Sequence, residues 1–436
     1  MFDPKKVHSS IDKYMLADGM GLVIDLEKSH GSWLVDSRNG EEYLDLFSMF
    51  ASLSVGYNHP YLIENKERLI SSALNKPTNS DVYSVEMADF VSTMGRISQP
   101  NYLPYAFYIE GGALAVENAL KAAFDWKVRK NLSNGKGEKG SKVIHFKECF
   151  HGRTGYTISL TDSPDPRKTL YFPQFDWPRI DTPKIDFPLE NNIDVVIKRE
   201  HKAINQIKDA LTNNRDEIAA LIIEPIQGEG GDNHFRKEFL IELRNLADEA
   251  EFLLIYDEVQ TGVGITGNMW AHQAFGIEAQ PDIISFGKKT QVCGIFAGKR
   301  LDEVDNHVFY ESSRINSTWG GSLVDMVRFT IYLEIIENEK LVQNANKMGS
   351  YLNNCLKNLQ NNHKNKIFNV RNRGLFGAFD LPNTELRDKV LNLIFEEGAI
   401  MLGCGKKSVR FRPHLNITES ELDSGFHMIH SALTNL

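Results

Sequence analysis

Two lysines, Lys288 and Lys289, end the apolar run DIISFG (282–287). Lysines are unusual at the end of a buried-type strand, because an ammonium is costly to bury unless it is paired or used. In an apolar setting the pKa of a lysine falls, and its neutral amine can form a Schiff base with an aldehyde. The same two residues also suit a solvated loop. Asp257 lies near the end of a second apolar run, FLLIYDEV (252–259), about 30 residues upstream. Glu224 follows a third, AALII, and precedes Pro225 and the turn QGEGG. There it is either a solvated strand end or a carboxylate in a cleft. Glu110-Gly111-Gly112-Ala113 ends the strand-like YAFYIE and opens the helix-like ALAVENALKAAFDWKVRK. Small residues at a helix N-terminus let backbone N–H groups approach an anion, although a tight turn without a ligand uses the same residues. After KVIHF (142–146) come Cys149, Phe150, His151, Gly152 and Arg153. An aromatic, a histidine and an arginine around a glycine suit a planar, anionic ligand, while Phe150 alone would fit a core equally well. In an extended strand His145, Cys149 and His151 would share one face, as zinc ligands do. KECFHGRTG reads instead as a strand running into a loop, so no metal is expected.

A strand-end aspartate, a strand-end lysine, a glycine-rich helix start and a loop aromatic together fit one cofactor. Pyridoxal phosphate needs a lysine for its aldehyde, an acid for its ring nitrogen and donors for its phosphate. Two nucleotide readings compete and fail. Leu-Leu-Ile-Tyr-Asp257-Glu258 resembles the acidic strand of P-loop ATPases, but no GxxxxGK[ST] occurs in the chain. Gly262, Gly264 and Gly267 spell GxGxxG, yet they follow Asp257-Glu258-Val259-Gln260-Thr261 rather than a bare strand. No acid-ended strand follows at the required ~20 residues.

These residues must be positioned by the elements around them. From about residue 105 to 300 short apolar runs alternate with helical patterns, the mark of an α/β sheet covered on both faces. Such sheets bind ligands beyond the carboxyl ends of their strands. NLSNGKGEKGS (131–141) reads as a flexible loop between a helix and a strand. After Ser322 the pattern changes: 324–340 and 341–359 read as long amphipathic helices, followed by short strands and helices. The expected organisation is an N-terminal segment, 1–55, packed with a small α+β domain at 323–436, and a large ligand-binding domain at 56–322.

With 436 residues, 42% hydrophobic and 25% charged, the chain can bury a sizeable core, and disorder is excluded as its dominant state. The net charge of −9 argues against a nucleic-acid or anionic-membrane partner, which would need clustered cations. The four cysteines form no CxxC pair, so neither a disulfide framework nor a zinc ribbon is implied. MFDPKKVHSS has no apolar leader pattern and no run is long enough for a membrane span, so a soluble cytoplasmic protein is expected.

The chain resembles the class III, fold-type I aminotransferases. YLDLFSMFASLSVGYNHP (43–60), EPIQGEGG, DEVQTG, FGKK, STWGG and SVRFRPHLNIT (408–418) occur in that family's order. EGGALAVENALKAAFDWK and FGKKTQVCGIFAG look most like the branch that acts on the ε-amine of lysine. The resemblance implies a mostly parallel seven-stranded sheet between helices and a small α+β domain built from both termini. It implies a homodimer that moves an amino group from L-lysine to 2-oxoglutarate by a ping-pong route, giving 2-aminoadipate 6-semialdehyde and L-glutamate. Ornithine and 4-aminobutyrate aminotransferases are the alternatives within the family; a non-catalytic cofactor-fold or dinucleotide-binding protein is the alternative outside it. By resemblance Lys289, not Lys288, is the Schiff-base lysine, counted five residues back from Gly294. Asp257 holds the ring nitrogen, Gln260 bonds near the ring hydroxyl, Phe150 stacks on the ring, and the Gly112 and Ala113 N–H groups hold the phosphate. Thr318 reaches the phosphate in the other subunit, with Asn316 assisting there. Arg153 pairs with the distal carboxylate of the substrate. Arg410 binds the α-carboxylate of a dicarboxylic substrate, and Glu224 masks it when the amine enters. Two positions depart from the family: Gly111-Gly112 stands where Ser-Gly is usual, and Ile265 where an arginine is common.

Overall fold

The computed structural model describes residues 2–436. At its centre lies a seven-stranded sheet with the order Tyr105–Ile109, Cys293–Ala297, Ile283–Phe286, Leu253–Asp257, Ile218–Ile223, Lys142–Phe146, Arg179–Ile180. Cys293–Ala297 runs antiparallel to both neighbours and the remaining pairs are parallel. The strands read as continuous apolar runs because both faces are covered. Leu253 and Ile255 face one cluster, with Val116, Leu120 and Trp126 of the helix Gly112–Ser133. Leu254 and Tyr256 face the other, with Phe239, Leu240 and Leu243 of the helix Lys237–Glu249. This alternation is the period of two that an extended chain imposes.

A four-stranded antiparallel sheet, in the order Phe368–Arg373, Phe376–Asp380, Ser408–Phe411, Leu402–Cys404, forms toward the C-terminus. Near the N-terminus Trp33–Val35 pairs with Glu42–Asp45, which in turn pairs in parallel with Ala399–Ile400. The helix Leu323–Asn338 differs from the amphipathic expectation. Met326, Val327, Phe329, Ile331, Leu333 and Ile336 bury most of its circumference, much of it against Val85–Ile97. Among the described residues no helix is long and apolar enough to cross a membrane.

Most strands of the sheet are parallel, so their carboxyl ends open on one edge. Ile109, Phe146, Ile223, Asp257 and Phe286 end there, and each is followed within a few residues by a candidate side chain.

Candidate active site

Beyond those strand ends lies a cavity of about 480 Å³ lined by Gly112, Ala113, Phe150, Arg153, Glu224, Glu229, Asp257, Gln260, Lys288 and Arg410, among others. The helix Gly112–Ser133 opens on it, and Gly111 before it takes φ +100°, a left-handed value that favours glycine. Gly112 is itself close-packed: a Cβ there would lie 3.0 Å from Val259 Cγ1. The resulting bare backbone, aimed by a 22-residue helix, is suited to an anion.

Asp257 ends its strand and is 4% exposed. Its Oδ1 accepts from Val259 N at 3.0 Å, and Oδ2 lies 2.7 Å from His151 Nδ1. Burial opposes a charge on His151, but Cys149 and the Asp257 carboxylate hold its pKa well above the usual histidine range. His151 therefore stands beside Asp257 as a group that favours its own protonated form. From the sequence His151 is a metal ligand or part of a loop that meets a planar, anionic ligand, not a partner of Asp257. The strand stops at Phe146 and Glu148 takes φ +57°, so His145, Cys149 and His151 do not share a strand face. Among the described residues no group of three or more His, Cys, Asp or Glu is placed to hold a metal.

The structure places Lys288, rather than the expected Lys289, on the cavity. Gly287 is extended, and a single 3₁₀ turn, Lys288–Thr290, follows it, with Lys288 at φ +54°. That left-handed residue turns its side chain into the cavity, while Lys289 points into the wall. Lys289 Nζ donates to Gln260 O at 2.8 Å and Ala51 O at 3.2 Å. The pKa of Lys288 is lowered by burial and by the nearby charge of Arg410, which favours the nucleophilic amine. The pKa of Lys289 falls well below the usual range through burial, then through Arg412 and Lys288. A neutral amine retains two N–H bonds, which match the two carbonyls around it.

The pairing of Arg410 is also corrected. Glu224 stands directly after its strand, and its carboxylate accepts from Phe150 N at 2.9 Å and Gly228 N at 3.0 Å. It ties two loops together, and burial pushes its pKa up to about 7. The carboxylate on Arg410 belongs to Glu229, whose Oε2 lies 3.2 Å from Arg410 Nη1. Glu229 reaches it because the turn is drawn tight: a Cβ on Gly230 would lie 1.8 Å from Glu148 O. Both glutamates lie in EPIQGEGG, and nothing in the sequence distinguishes a loop tie from a partner of Arg410.

Gln260 lines the cavity with its Oε1 held by Arg412, from Nη2 at 2.8 Å and Nε at 3.1 Å. Its amide nitrogen is left as the donor toward a ligand. Phe150 supplies an aromatic wall and Arg153 lies at the exposed mouth. Asn316 and Thr318 are exposed and do not line this cavity within one chain. The residues present fit a phosphorylated, planar aldehyde: a helix N-terminus for phosphate, a buried carboxylate, an aromatic face and an amine of lowered pKa.

The family model described as aminotransferase class-III matches residues 15–433. The chain is 48% identical over 434 residues to an L-lysine-epsilon aminotransferase of Mycobacterium tuberculosis, covering 99% of this chain and 96% of that one. It is 46% identical over 437 residues to an L-lysine-epsilon aminotransferase of Amycolatopsis lactamdurans, with 99% and 96% coverage. The solved structure of lysine aminotransferase from M. tuberculosis superimposes with a TM-score of 0.96 at 47% identity, covering 100% of both chains.

Proposed function

Because this chain belongs to the class III aminotransferases, we propose that it transfers the ε-amino group of L-lysine to 2-oxoglutarate, giving 2-aminoadipate 6-semialdehyde and L-glutamate. The observation that carries the choice of lysine is near-half identity, from end to end, to relatives named for that reaction. Members of the family use pyridoxal phosphate, which when bound supplies an aldehyde for an amine and a protonated ring that draws electrons from the carbon losing its proton.

The residues of the chain divide the remaining work. Gly112 and Ala113 hold the phosphate through backbone N–H groups, Asp257 keeps the ring nitrogen protonated, Gln260 donates beside the ring hydroxyl, and Phe150 covers one face. Lys288 attaches the cofactor through Nζ. When free, its Nζ would be the group that takes and returns the proton at the substrate ε-carbon, as base and then acid. Lys289 stays in the wall. Arg153 grips the α-carboxylate of lysine at the far end of the pocket, as a guanidinium does bidentately.

Arg410 and Glu229 let one pocket serve two unlike substrates. Paired, they neutralise each other and admit an amine whose reacting end carries no carboxylate. When Glu229 swings off, Arg410 takes the α-carboxylate of 2-oxoglutarate or glutamate. The two half-reactions then alternate in a ping-pong cycle. The working unit is a cytoplasmic homodimer, in which Asn316 and Thr318 of one subunit complete the site of the other.

Initial rates with L-lysine, L-ornithine and 4-aminobutyrate, each with 2-oxoglutarate, test this reading. Lysine should give the highest kcat/KM, with a semialdehyde that cyclises. A higher value for either competitor would refute the assignment.

A further inference from the structure

Glu229 separates two cavities. One is the substrate cavity. The other, of about 660 Å³, lies on the outer side and is lined by Asp165, Arg167, Lys168, Arg387, Asp388 and Lys406 among others. The Glu229 carboxylate is divided between two cations: Oε2 lies 3.2 Å from Arg410 Nη1 and Oε1 lies 3.2 Å from Lys168 Nζ. The glutamate backbone is pinned, since its carbonyl accepts from Gly405 N at 2.8 Å. A side-chain rotation is therefore enough to carry the carboxylate outward. Of the cations in the outer groove, Arg167 is paired with Asp165 and Arg387 with Asp388, Lys406 makes no ion pair among the described residues, and Lys168 alone is already in contact with Glu229. Lys168 is itself held, at the end of the short Pro166–Lys168 turn that Asp165 caps, with its ammonium 5.6 Å from the Phe150 ring centroid.

We propose that Lys168 is a specificity-determining residue, the second cation on which the Glu229 carboxylate rests when a dicarboxylic substrate takes Arg410. Releasing Glu229 from Arg410 into a groove without a partner would strand a carboxylate. With Lys168 already in contact, the carboxylate exchanges two cations for one and remains paired. Lys168 thereby eases the dicarboxylate half of the cycle and leaves the lysine half alone. The inference rests on the Arg410–Glu229 switch proposed above.

The test uses the holoenzyme and glutarate, a dicarboxylate with no keto group to react, with binding followed calorimetrically. Lys168→Met should weaken glutarate binding and raise the KM for 2-oxoglutarate by about three- to fivefold, the worth of a partly exposed ion pair. The KM for lysine should not move, and Lys168→Arg should restore wild-type values. The same substitution in a Glu229→Gln background should have no effect on glutarate, because the carboxylate that Lys168 serves is gone. An equal loss in that background would mean that Lys168 touches the dicarboxylate directly, and would overturn the inference. So would a Lys168→Met enzyme that binds glutarate normally while Glu229→Gln alone tightens it. If Glu229→Gln leaves glutarate binding unchanged, the switch itself fails and takes the inference with it.

Discussion

The neighbouring lysines give the sharpest test, because one backbone turn assigns them opposite work. Lys288 faces the cavity with Asp257, and Lys289 holds two carbonyls in the wall. Lys288→Ala removes both the cofactor attachment and the proton carrier. General acid–base transfer alone contributes about 10²–10⁴-fold, so kcat should fall by at least about 10³, or roughly 4 kcal/mol. Lys289→Met should leave kcat within about tenfold, since no group that moves a proton is lost. It should instead cost about 1–3 kcal/mol of stability, because Ala51 O and Gln260 O each lose a buried donor while the burden of a buried amine is relieved. Borohydride reduction of the wild-type enzyme, followed by proteolysis and mass spectrometry, locates the modified lysine directly. The label should lie on residue 288, and Lys288→Ala should lose the near-ultraviolet cofactor band that Lys289→Met keeps. A label on 289, or an active Lys288→Ala beside a colourless Lys289→Met, would refute the assignment.

Two further outcomes follow from buried groups. Glu229→Gln should shift donor preference toward glutamate over lysine by about tenfold, the value of one released charge-assisted contact, whereas Glu224→Gln should leave the ratio unmoved; steady-state kcat/KM for both donors decides between them. Lys289 also makes stability depend on pH. Its folded pKa lies well below its unfolded value of about 10.4, so between the two the unfolded chain carries a proton that the folded chain lacks. Stability should therefore rise with pH through that window by about 1.4 kcal/mol per unit from this group. Urea denaturation of wild type and Lys289→Met from pH 7 to 9 should show the smaller rise in the variant, and equal slopes would contradict a neutral buried amine.

The sheet was legible because its strands are buried on both faces and read as unbroken apolar runs. Once the strands were read, Gly112, Phe150, Asp257 and Gln260 fell at one edge of the sheet, since parallel strands present their carboxyl ends together. Where the structure and the sequence expectation part, loop geometry is the reason. Counting back from Gly294 selected Lys289, but a left-handed non-glycine at 288 turns the chain, and no local sequence rule foretells φ +54° for a lysine. Glu224 and Glu229 are both acids in one glycine-rich turn. Which reaches Arg410 depends on how closely residue 230 approaches Glu148, a contact 82 positions distant in sequence. His151 lies in a loop and its partner ends a strand 106 positions away, so its contact with Asp257 is invisible before the strands are assembled.

The turn that misled the sequence reading also explains how the pocket can be both rigid and adaptable. It sends two carboxylates, Glu229 and Asp232, toward two arginines, Arg410 and Arg412, at or next to the end of one strand. Arg412 and Asp232 are 2% and 0% exposed and meet through both guanidinium nitrogens, with the Arg412 cation also over the Phe376 ring. Separating them would leave an uncompensated buried charge, which costs about 3–5 kcal/mol. Arg412 is therefore fixed, and through its contacts with Gln260 Oε1 it fixes the Gln260 amide that lines the cavity. Arg410 makes one contact, at 3.2 Å, to a carboxylate that is 29% exposed and already shared with Lys168. Water on the carboxylate and a second cation lower the cost of breaking that contact below that of the Asp232–Arg412 pair, although Arg410 itself is 6% exposed. A substrate carboxylate can therefore displace Glu229 from Arg410 without disturbing the Asp232–Arg412–Gln260 frame. On the switch proposed above, the selectivity of the pocket would follow from this difference between the two carboxylates, 29% exposed at Glu229 and 0% at Asp232.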